Sequence, residues 1–234
     1  MAPKQPFENV VMAVGSPYGT LLLTMVLLLL VYPFMGSHGV VSWIIDFILL
    51  GVVASAVRVA KGGSTNYYMI WLLGLAAFVF SLLGRSIDIE AVYPAGAGLR
   101  ALFMGYLIVV IFDDVIRSKN ITFDTVFGAS CVYVLLGLCF GAVYAMFESL
   151  VPGAFSVPAA AHSIEGILGQ STTEFDLTYF SLVAMTTVGF GDIVPIAPLA
   201  RSMAAIEGMI GQLYVTIIIA RLVGLEIASR LQDQ

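Results

Sequence analysis

Six runs of mostly apolar residues, each 18 to 28 long, decide what this chain can become: Tyr18 to Met35, Val40 to Val59, Tyr67 to Gly84, Ala97 to Ile116, Phe123 to Leu150, and Arg201 to Ile227. Each is near or above the roughly 20 residues that a helix needs to cross the hydrocarbon core of a bilayer. Within lipid a backbone N–H or C=O has no water to bond, so a spanning run must satisfy its own polar groups, as a helix does. The composition agrees: 60% of residues are hydrophobic and 11% charged, with a mean hydropathy of +1.01, which the surface of a soluble domain would not tolerate. The expected fold is an all-α membrane protein with six transmembrane helices. With 15 Asp and Glu against 10 Lys and Arg, no basic patch for nucleic acid is expected.

Lys and Arg orient the spans. With the amino terminus cytoplasmic, Lys4, Arg58, Lys61, Arg117, Lys119, Arg221 and Arg230 fall inside, and Arg85, Arg100 and Arg201 fall outside. The excess predicts a multi-pass protein of the cell membrane with both termini cytoplasmic. No small-residue cleavage site marks the 17-residue lead, so no cleavable signal is expected.

Between the fifth and sixth runs lies Thr173 to Pro195, too short and too polar to span. It is expected to enter the membrane and leave on the same side. Thr173, Glu174, Phe175 and Asp176 read as a capping box that starts a helix running to about Met185. Thr186, Thr187, Val188, Gly189, Phe190, Gly191 and Asp192 follow. A pore that strips water from a cation must offer substitute oxygens at fixed spacing, and backbone carbonyls from four copies of a loop can do so. Gly189 and Gly191 can take positive φ, which lets successive carbonyls share one side. Thr187 can add a hydroxyl at the inner end. One chain supplies one loop, so a coordinating ring requires a homotetramer. The carboxyl ends of four short helices then offer partial negative charge to a cation on the axis.

The run Thr187 to Gly191 resembles the selectivity filter of the tetrameric potassium channel family. The resemblance covers about 110 residues and extends past the filter: Asp192 to Pro195 is similar to the polar turn that follows it, Arg201 opens the inner helix, and Gly211 stands where that family carries a hinge glycine. The whole chain looks like a six-helix bacterial member without a cytoplasmic regulatory domain. The resemblance implies passive, potassium-selective conduction, with K+ held at Thr187, Val188, Gly189 and Phe190, and potassium as permeant ligand rather than cofactor. It divides the chain into a four-helix part, 1–118, and a pore part, 119–234, at the turn Ser118 to Thr122.

Two positions depart from the family's commonest pattern. The filter aromatic, usually Tyr, is Phe190, and the second pore-helix aromatic, often Trp, is Phe180. Val183 stands where some relatives carry a buried Glu. Asp192 can still meet Tyr179. With Thr186 and Glu207 these residues are the candidate filter supports, and a filter held more by packing than by polar bonds is expected. Glu207, one to two turns into the sixth helix, is expected to be protonated or hydrogen-bonded behind the filter, or else merely interfacial.

Gly211, Val215, Ile219 and Val223 recur every four residues on one slowly drifting face. They are candidates for the inner pore, with Ile219 and Val223 as an apolar constriction; the alternative is a packing or lipid stripe. Gly208 and Gly211 are candidate bending points. A conventional voltage sensor needs several basic residues at every third position, whereas the fourth span carries only Arg100 and Arg117 at its ends. A scaffolding or lipid-facing role is expected for the first four helices.

Asp46 and Arg100, both near the outer face, pair with each other or snorkel independently. Glu226 is either one of a ring of four charges at the inner mouth or a solvated helix end. Cys131 and Cys139 are eight residues apart on one helix, about 12 Å along its axis and too far for a disulfide. Gly137 and Gly141 form a small-xxx-small pair suited to close packing of the fifth helix. His38 and His162 are expected in outer loops, and Val151 to Thr172 reads as an outer turret. There is no nucleophile-base pair, metal-ligand cluster or phosphate loop in the sequence, so no enzymatic activity is expected. Two rivals remain: a poorly selective cation channel of the same architecture, and a non-conducting membrane assembly protein.

Overall fold

The computed structural model of the chain describes residues 15–31, 51–52, 54–55, 64–86, 92–118, 122–156 and 174–232. In chain order the elements are α1 (Pro17–Val31), α2 (Ser64–Ser86), α3 (Val92–Arg117), α4 (Phe123–Leu150), β1 (Phe155–Ser156), α5 (Glu174–Met185), β2 (Val194–Pro195) and α6 (Pro198–Gln232). Among the described residues three helices are long and apolar enough to cross a membrane: α3, α4, and α6 over Pro198–Leu225. Helix α1 and the Tyr68–Phe80 part of α2 are apolar but shorter. Apart from helical residues at 51–52 and 54–55, the second expected span lies outside the described residues. So do Asp46, His38, His162, Thr173 and the turret from 157 onward.

Helix α4 is the post on which the rest is mounted: α1, α3, α5 and α6 all pack against it. Its ends follow from local chemistry. Thr122 caps the amino end, where its Oγ1 accepts from the Thr125 N–H at 3.2 Å, and Asp124 in the first turn suits the positive end of the helix dipole. Past the carboxyl end the Glu148 carboxylate accepts from the N–H groups of Gly153 at 2.8 Å and Phe155 at 3.0 Å. That turn delivers β1 to β2, with Phe155 opposite Pro195 and Ser156 opposite Val194. This two-residue antiparallel pair is a small addition to a mostly helical fold. It forms because the Ala154 carbonyl accepts from the Ile196 N–H at 2.8 Å, which ties the end of α4 to the segment after residue 192. Helix α6 starts at Pro198, three residues before the expected Arg201. Proline suits a first helical position because its missing N–H would be unpaired there.

Two buried clusters result. The larger joins Tyr18, Leu21 and Met25 of α1, Phe103, Leu107, Ile111 and Val115 of α3, and Cys131, Val132 and Leu135 of α4. Residues on both sides of positions 119–121 thus share one core. Lipid tails are as apolar as leucine, so such a cluster gains over lipid mainly through close van der Waals contact. The second cluster sits behind α5. Tyr144, Phe155 and Phe180 meet there in three edge-on ring pairs with centroids 5.2 to 5.5 Å apart.

Small residues let α5 approach α4. A Cβ on Gly141 would lie 2.7 Å from the Thr178 Cα, and one on Gly137 would lie 2.4 Å from Leu182 Cδ2. The glycine pair therefore serves the contact between α4 and the short helix α5. Cys131 is buried, Cys139 half-buried, and both are free thiols.

Candidate ion-conduction site

Helix α5 ends in a way that shapes the loop after it. The Thr187 N–H donates to the Ala184 carbonyl at 3.0 Å and the Val188 N–H to the Val183 carbonyl at 3.1 Å. With Thr187 at φ +59°, this is a Schellman termination, whose left-handed position is usually glycine. A β-branched residue there carries strain of about 1–3 kcal/mol, which the surrounding bonds must hold. The Thr186 side chain adds one of them, its hydroxyl donating to the Leu182 carbonyl at 2.7 Å.

Positive φ recurs at Gly189 (+57°) and Gly191 (+76°). Residues 187, 189 and 191 are thus left-handed, while Val188 and Phe190 between them are not. A strand whose residues alternate in hand turns its successive peptide planes alike. Its carbonyls then share one side instead of alternating as in a β-strand. All seven residues from Thr186 to Asp192 are exposed in the single chain, Val188 at 53% and Phe190 at 68%. A Cβ added to Gly189 or Gly191 would meet nothing within 4 Å. One chain therefore leaves this loop bare.

The loop is tethered at its far end. Tyr179 donates its phenol hydrogen to Asp192 Oδ2 at 2.7 Å, and the Ile193 N–H donates to Oδ1 at 3.0 Å. Phe180 is turned the other way, into the aromatic cluster with Tyr144 and Phe155. It braces α5 against α4 from behind.

Glu207 of α6 is fully buried. Tyr144 donates to its Oε2 at 2.6 Å, Ser181 lies against its Oε1, and the Ser181 hydroxyl is also 2.7 Å from the Gly137 carbonyl. Four residues on, Gly211 presses against the end of α5, where a Cβ would fall 2.6 Å from the Met185 carbonyl oxygen. Gly208 has room, its nearest neighbour being the Ala184 oxygen at 3.6 Å. The structure thus separates Gly211, which is buried, from Val215, Ile219 and Val223, which are exposed at 36%, 56% and 53%. Helix α6 runs through Gly208 and Gly211 without a break.

Two anchors were not evident from the sequence. Arg100 forks onto Glu174, Nε to Oε1 at 2.9 Å and an Nη to Oε2 at 2.5 Å, joining the start of α3 to the start of α5. Glu174 reads in the sequence only as part of a cap, and nothing local marks it as a partner for a residue 74 positions away. At the other end Arg221 of α6 donates to the carbonyls of Val115 (2.5 Å), Ile116 and Ser118 (2.9 Å). A cation there satisfies the unpaired carbonyls that close α3 and complements its dipole.

Among the described residues no group of His, Cys, Asp and Glu is arranged to hold a metal through side chains; the oxygens on offer at the loop belong to the backbone. Neither a curated protein nor a solved structure matches the chain. Residues 132–225, from within α4 through the loop at 186–192 and well into α6, match the family model described as "Ion channel"; the match supports a membrane ion-channel domain and passive ion conduction, and that family is not enzymatic.

Proposed function

We propose that the protein is a potassium-selective channel of the cell membrane, a homotetramer of six-helix subunits with both termini cytoplasmic. The observation that carries this reading is the alternation of hand at Thr187, Gly189 and Gly191 in a loop left bare by its own chain. Four such loops around an axis stack rings of oxygens from Thr187, Val188, Gly189, Phe190 and Gly191, which replace the hydration shell of K+ and pass it from ring to ring. The exposed apolar residues of α6 support the tetramer: only 11% of the apolar window of α6 is buried within the chain, against 50% for α4. Val215, Ile219 and Val223 then line the inner pore, and the last two form a constriction that closes by dewetting.

A poorly selective channel is the second reading, favoured by one feature. The Phe190 ring, exposed at 68%, has no hydroxyl with which to fasten the filter to its surroundings. Flux from liposomes loaded with purified protein tests both. Potassium flux that resists sodium competition, is blocked by barium and disappears in Gly189→Asp supports the proposal. Equal sodium flux supports the second reading, and no flux from a tetramer refutes both in favour of a non-conducting assembly.

A further inference from the structure

The carboxyl group of Glu207 sits among two hydroxyls and a carbonyl, and their hydrogens can be counted. Three oxygen-oxygen contacts are short enough to be hydrogen bonds: Tyr144 to Glu207 Oε2 at 2.6 Å, Ser181 to Glu207 Oε1, and Ser181 to the Gly137 carbonyl at 2.7 Å. Each needs a hydrogen of its own. Tyr144 and Ser181 bring one each, and the Gly137 carbonyl and an ionised carboxylate bring none. The chain of contacts is one hydrogen short. A hydroxyl pressed between two acceptors it cannot both serve leaves one buried oxygen unsatisfied, and that group keeps its full desolvation penalty. The deficit closes if the third hydrogen lies on Glu207: Oε1–H donates to Ser181, Ser181 donates to the Gly137 carbonyl, and Tyr144 donates to Oε2.

The surroundings agree. Facing Glu207 are Tyr144 and Cys139 from α4 and Ser181 from α5, and its hydrogen-bond partners are hydroxyls, with no cation among them. The residue is fully buried in the part of α6 that crosses the membrane, where an uncompensated carboxylate is costly. No buried side-chain oxygen or nitrogen among the described residues lacks a partner, so a misplaced hydrogen here would be out of keeping with the rest.

We infer that Glu207 is a neutral carboxylic acid that donates to Ser181, and that this relay, Glu207 to Ser181 to Gly137 with Tyr144 on the other oxygen, holds α4, α5 and α6 in register behind the filter loop. Ser181 lies five residues before Thr186, on the helix whose end sets the hand of Thr187. Glu207 is thus a positioning residue: it touches no ion and acts through the seat of α5. The hydrogen count stands on the contacts alone, whereas the effect on ion passage rests on the channel reading above.

The test joins infrared spectroscopy with flux. The wild-type tetramer in lipid at neutral pH shows the C=O band of a protonated carboxylic acid, and Glu207→Gln removes it. A wild type with no such band, its Glu207 contributing only carboxylate bands, overturns the assignment. In flux, Glu207→Gln keeps the wild-type rate and potassium preference, because an amide donates to Ser181 and accepts from Tyr144. A several-fold lower rate in Glu207→Gln also overturns the assignment, since it marks the loss of a charge that a neutral acid does not carry. Ser181→Ala strands the acid hydrogen and lowers the preference for potassium over sodium; a wild-type preference in Ser181→Ala refutes the positioning role. If the band is present but the wild type passes no ions, the channel reading fails and the neutral acid stands.

Discussion

Gly208 and Gly211 are equivalent as helix-weakening residues, and the structure makes them opposite. Alanine at Gly208 meets the Ala184 oxygen at 3.6 Å, an ordinary contact, and removes the flexibility of a helical glycine, worth about 1 kcal/mol in stability. Alanine at Gly211 places its Cβ 2.5 Å from Met185 Cγ and 2.6 Å from the Met185 carbonyl oxygen. The side-chain carbon can swing away, but the carbonyl belongs to the last residue of α5 and can retreat only if α5 and α6 separate. Overpacking of this kind costs about 1–3 kcal/mol, with backbone opposition at the upper end, against a propensity gain of about 1 kcal/mol. Gly211→Ala should therefore lose about 2 kcal/mol per subunit, while Gly208→Ala holds or gains slightly. Thermal unfolding of the detergent-solubilised protein, read by loss of the native peak in size exclusion, measures the first effect, and potassium flux measures the second. Gly211→Ala should also disturb conduction, because Met185 is two residues from Thr187. If both glycines instead serve as hinges, the two variants will impair flux alike with unfolding temperatures at or above wild type. That pattern would refute the packing argument.

Two other substitutions probe the anchors of α5. Glu174→Gln leaves the forked Arg100 guanidinium, exposed at only 14%, with a weaker acceptor, and should cost about 1.5–3 kcal/mol, the range for hydrogen bonds to charged groups; exchanging the pair as Arg100→Glu with Glu174→Arg should recover part of it, and a single substitution with an unchanged unfolding temperature would contradict the bridge. Tyr179→Phe removes one of the two hydrogen bonds to Asp192 seen here, at about 0.5–1.5 kcal/mol, and should shift the reversal potential in mixed sodium and potassium toward the non-selective value; an unshifted potential would mean that the filter does not depend on this tether.

What the sequence made legible was set by local rules. Apolar runs of membrane length marked α3, α4 and α6, the acidic turn at Glu174 to Asp176 marked the start of α5, and the glycines at 189 and 191 announced positive φ. Local rules also marked where they stop. Thr187 offers no composition signal for a left-handed residue, and its φ follows from the two carbonyls of α5 that claim the N–H groups of residues 187 and 188. The β1–β2 pair spans two residues a side, too short for any alternation to register. Arg100 with Glu174 and Arg221 with the end of α3 are contacts over 74 and about 105 residues; a charge in a sequence shows that a partner is needed and not which one.

The stripe on α6 shows how a correct periodicity can still group residues wrongly. At 3.6 residues per turn, a step of four overshoots a full turn by about 40°, so three such steps carry the face about 120° from Gly211 to Val223. That is enough to leave one neighbour and meet another. The residues that stay on one line alternate steps of four and three: Glu207, Gly211, Tyr214 and Ile218. These are the ones the chain keeps for itself, through the bonds of Glu207, the glycine contact with Met185, the Tyr214 hydroxyl donating to the Ala129 carbonyl at 2.7 Å, and Ile218 in the core. Arg221 continues the line onto the end of α3. Helix α6 is thus fastened along one edge from Glu207 to Arg221, and Val215, Ile219 and Val223 project off that edge, exposed among the described residues. A helix held this way cannot bend at Gly211 without first breaking its seat on α5. If the pore closes at Ile219 and Val223, the movement must come from rotation of the fastened edge as a unit or from bending beyond Arg221, where a Cβ built on Gly224 would meet nothing within 4 Å among the described residues.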